Sequence, residues 1–247
     1  MTTAGDSTRV DGGANAAVAG PPSRAIRGSL DRDRIIAAAV AYIEVNDVAA
    51  LSMRRLGSVL GVEAMSLYRH VPDRDELLNG VVEAILDELR DDADILDHPT
   101  DGWQDFLQRL AHGVRRVALS HPKAFPLVAF RTPQAPWLRP PLRTPDWVES
   151  FLSGLAGEGF SDQAAVSAYR GFTSFLLGQL MFEVSIRAGG SQDTPGDEPA
   201  RDAALADYPS TRRLRGELAA DHAAADFDEA LAVLLQRITL LRADSRV

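Results

Sequence analysis

The residues whose types and spacing could do chemistry fall in the run Leu51-Ser52-Met53-Arg54-Arg55-Leu56-Gly57-Ser58-Val59-Leu60-Gly61-Val62-Glu63-Ala64-Met65-Ser66-Leu67-Tyr68-Arg69-His70-Val71. The chemistry they suggest is recognition, not bond making. Ser52 can cap a short helix. Gly61 suits the left-handed position that ends it. A second short helix is expected over about 63–70, stopped by Pro72, which cannot continue it. Two short helices joined by a tight glycine turn suggest a helix-turn-helix. Leu56, Leu60, Val62 and Leu67 would lock the pair together, and Gly57 is small enough for the helices to approach closely. The start of the second helix, Ala64-Met65-Ser66, is then free to enter a major groove. A plainer reading stands beside this one: Met65 packs inside and Ser66 only caps.

Catalysis has no comparable constellation. The histidines (His70, His98, His112, His121, His222) lack metal-ligand spacing. The sequence has no Gly-x-Ser-x-Gly, no Gly-x-Gly-x-x-Gly and no P-loop. Asp91-Asp92 reads as a solvated helix end. There are no cysteines, which excludes disulfides and thiolate metal sites. No catalytic residue, metal or cofactor is expected, and the protein is not expected to be an enzyme.

The elements that must position the run are helical throughout. A first helix is expected over 30–47, started at Ser29 or Asp31 and ended by Asn46-Asp47, with Ile35, Ala39 and Ile43 on one face. Asp73-Arg74-Asp75-Glu76 is a capping-box pattern that opens a fourth helix through Leu77, Val81, Ile85 and Leu89. Trp103, Phe106, Leu110, Val114 and Val117 fit a fifth, ended at His121-Pro122. The proline-rich segment 122–145 should hold a short helix and irregular chain. Helices starting near Asp146 and after Ser161 (about 162–187) follow, then a polar loop over 188–200. A last helix with Phe227, Leu231, Leu234, Leu235 and Ile238 ends near 242. With no sustained period-two alternation, the fold class is all-α. The domain plan is a tail over 1–28 too polar to fold, a helix-turn-helix domain over 29–75, and a larger helical body over 76–247. Arg24 and Arg27 in the tail are candidates for a flexible DNA-reaching arm, or are simply solvated.

The chain has 247 residues, 45% of them hydrophobic, and a net charge of −9. Between Arg24 and Arg74 eight arginines face six acids, a local charge of +2 that leaves −11 on the rest. An acidic body would repel DNA, so contact should come from one end. The sequence has no apolar stretch of about 18 residues and no signal-peptide pattern in its first 28, so a cytoplasmic protein with no membrane partner is expected.

From Leu30 to Leu89 the sequence resembles the DNA-binding domain of the TetR family, most specifically in Leu60-Gly61-Val62-Glu63 and Ser66-Leu67-Tyr68-Arg69-His70-Val71. The resemblance implies that Ser52 and Arg54 touch phosphates or bases, and that Ala64, Met65 and Ser66 read bases. It implies phosphate contacts for Tyr68, His70 and Arg74. Phosphate contacts position a protein and base contacts specify sequence; the apolar Ala64 and Met65 could press only on thymine methyls.

A weaker resemblance covers most of 101–183, through Trp103-Gln104-Asp105-Phe106-Leu107, Ser120-His121, Gln163-Ala164-Ala165 and Phe175-Leu176-Leu177-Gly178. It implies a ligand-binding helical bundle that dimerises through the long helix and the last helix, where Gly171, Ser174 and Gly178 permit close packing. The family's effector-contacting positions fall at Arg90, Leu110, Val114, Val128 and Arg131, with Tyr169, Arg170 and Thr173 on the long helix. Several are apolar and Arg90 and Arg131 are arginines, which disfavours a magnesium–tetracycline site and suits an anionic or large hydrophobic effector. Each apolar member is equally well explained as core.

The expected function is therefore a ligand-responsive transcriptional regulator: a homodimer on a near-palindromic double-stranded operator, released as a repressor when an unknown small molecule binds. The alternative is a helical small-molecule-binding protein that has lost DNA binding.

Overall fold

The computed structural model describes residues 29–95, 97–131, 135, 137–189, 205 and 207–244. The chain divides into two units, Met1–Leu30 and Asp31–Val247, and the second holds all the helices below. The expected tail over 1–28, with Arg24 and Arg27, and most of the expected polar loop over 188–200 lie outside the described residues.

Ten α-helices and one 3-10 turn make up the described residues, with no strand among them. Helix α1 (Arg32–Asn46) starts where Asp31 Oδ1 accepts the Arg34 N–H at 2.8 Å. It ends at Asp47, which sits at φ 72°. After a turn at Val48–Ala50 come α2 (Met53–Leu60) and α3 (Ala64–Leu67). Helix α4 (Arg74–Asp91) opens with the Asp73 carboxylate accepting the Glu76 N–H at 2.8 Å. The expected capping box is observed in this half. Glu76 turns its own carboxylate toward Arg32 instead, at 3.3 Å.

The body consists of α5 (Trp103–Ser120), α6 (Phe125–Phe130), α7 (Pro145–Gly157), α8 (Asp162–Gly189), α9 (Pro209–Ala219) and α10 (Ala223–Asp244). Pro126 and Pro145 each sit in the first turn of a helix, where a missing N–H costs nothing. Ser161 Oγ accepts the Ala164 N–H at the start of α8. Two findings depart from expectation. Helix α3 is shorter than 63–70, because after Leu67 the chain turns, with His70 and Val71 N–H both donating to the Leu67 carbonyl at 2.9 Å. Helix α9 was not foreseen: it buries no residue, so it leaves no apolar stripe in the sequence.

Two apolar clusters run into each other along α4. On the amino-terminal side, Ile35, Ile36, Ala39 and Ile43 of α1 meet Leu51, Met53, Leu56, Leu67 and Val71, all buried. Leu77, Leu78, Val81 and Val82 of α4 close that cluster, while Ile85, Leu86 and Leu89 of the same helix are buried toward its other end. The body is filled by aromatics: Phe151 packs against Phe106, Tyr169 and Phe172, and Trp103 meets Phe160 edge-on at 5.3 Å. Each such side chain contributes about 1.5–3 kcal/mol on burial.

Candidate nucleic-acid interface and ligand cleft

The α2–α3 unit is built on two glycines. Gly61 ends α2 in the left-handed region, at φ 69° and ψ 30°, a conformation that a side chain disfavours. The Val62 N–H then returns to the Gly57 carbonyl at 2.9 Å. A Cβ on Gly57 would stand 2.9 Å from the Val62 carbonyl oxygen and 3.2 Å from the Ala64 nitrogen. The two helices therefore touch through backbone, and only glycine fits. Leu56 and Leu67 are fully buried between them, as expected. Leu60 and Val62, expected to share that lock, are half-buried at its edge.

This packing turns the other side of α3 outward. Met65 is 70% exposed and Tyr68 42%, with Arg69 and His70 exposed beside them. Met65 therefore does not pack inside. Ala64 and Ser66 are half-buried. Ser52 Oγ accepts the Arg55 N–H at 3.3 Å, so its hydroxyl caps α2. Arg54 is exposed, and among the described residues no partner holds its guanidinium. Arg55 instead reaches back to the Ala50 carbonyl at 2.7 Å. Arg74 is exposed but donates to the Leu51 carbonyl at 3.2 Å and the Val48 carbonyl at 3.1 Å. It stitches α4 to the turn before α2 as well as presenting charge. Arg69, absent from the expected contact set, stands between Tyr68 and His70 on the same exposed surface.

Most of the residues expected around an effector are taken up in the packed interior. Leu110, Val114 and Val128 are buried to within 1%; apolar groups at helical spacing in a bundle go first to its core. The Tyr169 hydroxyl donates to the Leu142 carbonyl at 3.1 Å and accepts the Arg139 N–H at 3.0 Å, and burial raises its pKa. Thr173 is buried and donates to the Tyr169 carbonyl at 2.8 Å. Arg170 is exposed on α8. Arg90 pairs with Asp87 and with Asp146 at the start of α7.

Arg131, by contrast, lines a cleft. The cleft holds about 310 Å³ and is walled by Glu76, Asn79, Val82, Glu83 and Leu86 of α4 and by Arg143, Thr144 and Pro145 at the start of α7. Arg131 donates to Asn79 Oδ1 at 3.0 Å and to the Asp75 carbonyl at 3.2 Å. Sequence reasoning missed Asn79, Arg143 and Thr144. Only their convergence in space marks them, since Asn79 and Arg143 are 64 positions apart. The α4 wall of this cleft is tied to α1: Glu76 and Glu83 are both held by Arg32, at 3.3 and 3.1 Å.

A helix-turn-helix presented on one end of a helical bundle, with a cleft against the helix that joins them, is the architecture of a one-component regulator. The comparisons with known proteins agree. The family described as "Tetracyclin repressor-like, C-terminal domain" matches residues 97–240. An HTH-type transcriptional regulator from Saccharopolyspora erythraea is 31% identical over 228 residues, covering 89% of each chain. The class E tetracycline repressor of Escherichia coli is 29% identical over 154 residues, covering 62% of this chain and 69% of that one. Among solved structures, a possible TetR family transcriptional regulator from Streptomyces coelicolor A3(2) superposes with a TM-score of 0.68 at 25% identity, covering 85% of this chain and all of the other. The chain belongs to the TetR family of transcriptional regulators.

Proposed function

We propose that the protein is a repressor that binds a near-palindromic operator as a homodimer and lets go when a small molecule enters the body. The observation that supports this most is the outward face of α3, where Met65 and Tyr68 stay exposed although they are large and apolar or aromatic. In this reading Ala64, Met65 and Ser66 meet base edges, with Met65 against thymine methyls. Arg54, Tyr68, His70 and Arg74 meet phosphates, and Arg69 joins them. Ser52 positions the first turn of α2. Two such units on a symmetric dimer would sit about 34 Å apart, one turn of DNA.

The dimer is proposed to form through α8 and α10. Phe182 and Ile186 of α8 and Val233 and Leu240 of α10 are exposed, and large apolar side chains left open on two packed helices are what a subunit interface would cover. Gly178 has open space beside it, whereas Gly171 already meets Leu234 of its own chain. No described helix is long and apolar enough to cross a membrane. We place the protein in the cytoplasm with its DNA, and read it as a binding protein, not an enzyme, because its family regulates transcription.

Effector binding is proposed to act through α4, which spans from the α2–α3 unit to the cleft. Coupling of this type is typically about 1–3 kcal/mol. The test is a fluorescence-anisotropy titration against DNA from upstream of its own gene and against a scrambled duplex, at two salt concentrations. Preferential, salt-sensitive binding is the expected result. Equal weak binding to both, and to duplexes selected from a random pool, would overturn the repressor reading.

A further inference from the structure

Arg131 and Arg143 stand next to each other on one wall of the α4 cleft. Arg143 Nη1 donates to the Arg131 carbonyl at 2.9 Å and to the Val128 carbonyl at 3.1 Å. Burial first, and then the charge of Arg131, lower the pKa of Arg143. The two guanidinium groups share one wall, with the Asp75 carboxylate 3.6 Å from Arg131, and an anion arriving in the cleft would meet both. The opposite wall is different. Its carboxylates, Glu76 and Glu83, are both engaged by Arg32. The apolar lining is Val82 and Leu86 on the α4 wall and Pro145 opposite. The Oγ1 of Thr144, buried in the same wall as Arg143, has no hydrogen-bond partner among the described residues.

We infer that the cleft takes a small aromatic monocarboxylate, its carboxylate between Arg131 and Arg143 and its ring against Val82, Leu86 and Pro145. The inference rests on the ligand-responsive reading above and names the ligand class for it. A guanidinium fork matches a carboxylate in two parallel hydrogen bonds. A single negative charge fits better than a phosphate dianion, because Glu76 and Glu83 face the same space. About 310 Å³ admits a one- or two-ring molecule.

Binding has a mechanical consequence. Arg131 currently holds α4 through Asn79 Oδ1, through the Asp75 carbonyl and through the Asp75 carboxylate at 3.6 Å. A carboxylate arriving at Arg131 competes with all three. The first two turns of α4, which Arg32 ties to α1, lose that tether. The ligand then favours the state in which α4 is free of Arg131, which is the differential interaction that a population shift requires.

The probes are 1-naphthoate and its uncharged counterpart 1-naphthamide, titrated calorimetrically into the full-length protein. The acid should bind at least tenfold more tightly than the amide. Arg131→Gln should reduce that preference to less than twofold. Asn79→Ala, which removes one competitor for Arg131, should tighten the acid, a result that a merely structural role for Asn79 would not produce. Circular dichroism melts of both variants confirm that they fold. Equal binding of acid and amide, no binding of either at millimolar concentration, or a full preference surviving Arg131→Gln would each overturn the inference. A parallel anisotropy assay separates the two claims. DNA binding without acid binding sinks the cleft assignment alone, and acid binding without DNA binding sinks the repressor reading while supporting the cleft.

Discussion

In the α2–α3 unit Met65 is 70% exposed and Tyr68 42%, whereas in the body Leu110, Val114 and Val128 are buried to within 1%. Both sets come from stretches that resemble the same family, yet the fold treats them in opposite ways. The amino-terminal unit is too small to bury what it presents. Its interior is Met53, Leu56, Leu67 and two backbone contacts at Gly57, and on α3 Met65 faces out while Ala64 and Ser66 stay half-buried. The body has room for a complete core and fills it with Phe106, Phe151, Phe172 and Tyr169. Recognition by the first region is a property of one continuous run of sequence. Ligand capture by the second depends on what remains at the rim once the interior is packed.

The sharpest way to break this contrast is through the body's one deeply set ion pair among the described residues. Arg115 donates to both oxygens of Glu183 at 2.9 and 2.6 Å, and lies over the Phe227 ring at 5.3 Å. It joins α5, α8 and α10, and the side chains are 19% and 8% exposed. Arg115→Leu strands a buried carboxylate and should cost about 3–5 kcal/mol, read as a lower denaturation midpoint. Replacing both partners with leucine should recover most of that loss. If the single variant melts like the wild type, the pair is not what holds the three helices together.

The second prediction moves to the amino-terminal unit. Gly57→Val puts a side chain against the Val62 carbonyl and the Ala64 nitrogen, both backbone. Overpacking of this kind costs about 1–3 kcal/mol. Because it pries α3 from α2, operator affinity should fall at least about tenfold, measured by anisotropy at a temperature where the variant is fully folded. Undiminished affinity would mean that the α2–α3 geometry is not what reads DNA.

How much of this was legible in the sequence follows the same division. The caps at Asp31, Ser52, Asp73 and Ser161 were readable because each is a local hydrogen bond between a side chain and a backbone N–H three residues on. The turn at Gly61 was readable because its conformation demands glycine. The early end of α3 was not, since nothing in Tyr68-Arg69-His70 forbids another helical turn; there the His70 and Val71 N–H groups both return to the Leu67 carbonyl. Nor was α9, whose exposed residues carry no pattern. In the body, periodicity located Leu110 and Val114 on an inward face but could not say whether an inward face meets a ligand or another side chain. Arg131 and Asn79 are 52 positions apart, and no spacing rule joins them.

The third prediction separates two arginines of similar appearance. Arg54→Ala removes a guanidinium with no described partner, so stability should stay within about 0.5 kcal/mol. The salt slope of DNA binding should fall by about 0.9 if one phosphate contact is lost. Arg74→Ala removes two hydrogen bonds to the Leu51 and Val48 carbonyls as well. It should lower stability by about 1 kcal/mol, discounted for exposure, in addition to weakening DNA binding. Identical melts for the two variants would show that the Arg74 stitch contributes nothing.

The smallest expected effect lies at the far end of α4, where the helix gives way to the body. Burial pushes the Asp92 carboxyl up, but the hydrogen bond from Arg116, the Asp94 N–H and the Arg116 charge outweigh it, so the net pKa is lowered. Arg116 Nη2 stands 2.6 Å from Asp92 Oδ2. A carboxyl whose pKa is lower in the folded state than in the unfolded chain stabilises the fold fully above its unfolded value, ~3.9. That contribution disappears as pH falls through the lower folded value. Asp92→Asn should therefore melt below the wild type at pH 7, and the gap should narrow once the pH drops below about 4. A gap that stays constant with pH would assign the effect of Asp92 to its acceptance of the Asp94 N–H, which an asparagine oxygen only partly replaces, and not to charge. The join between α4 and the body would then be held by backbone geometry, as the α2–α3 unit is at Gly57.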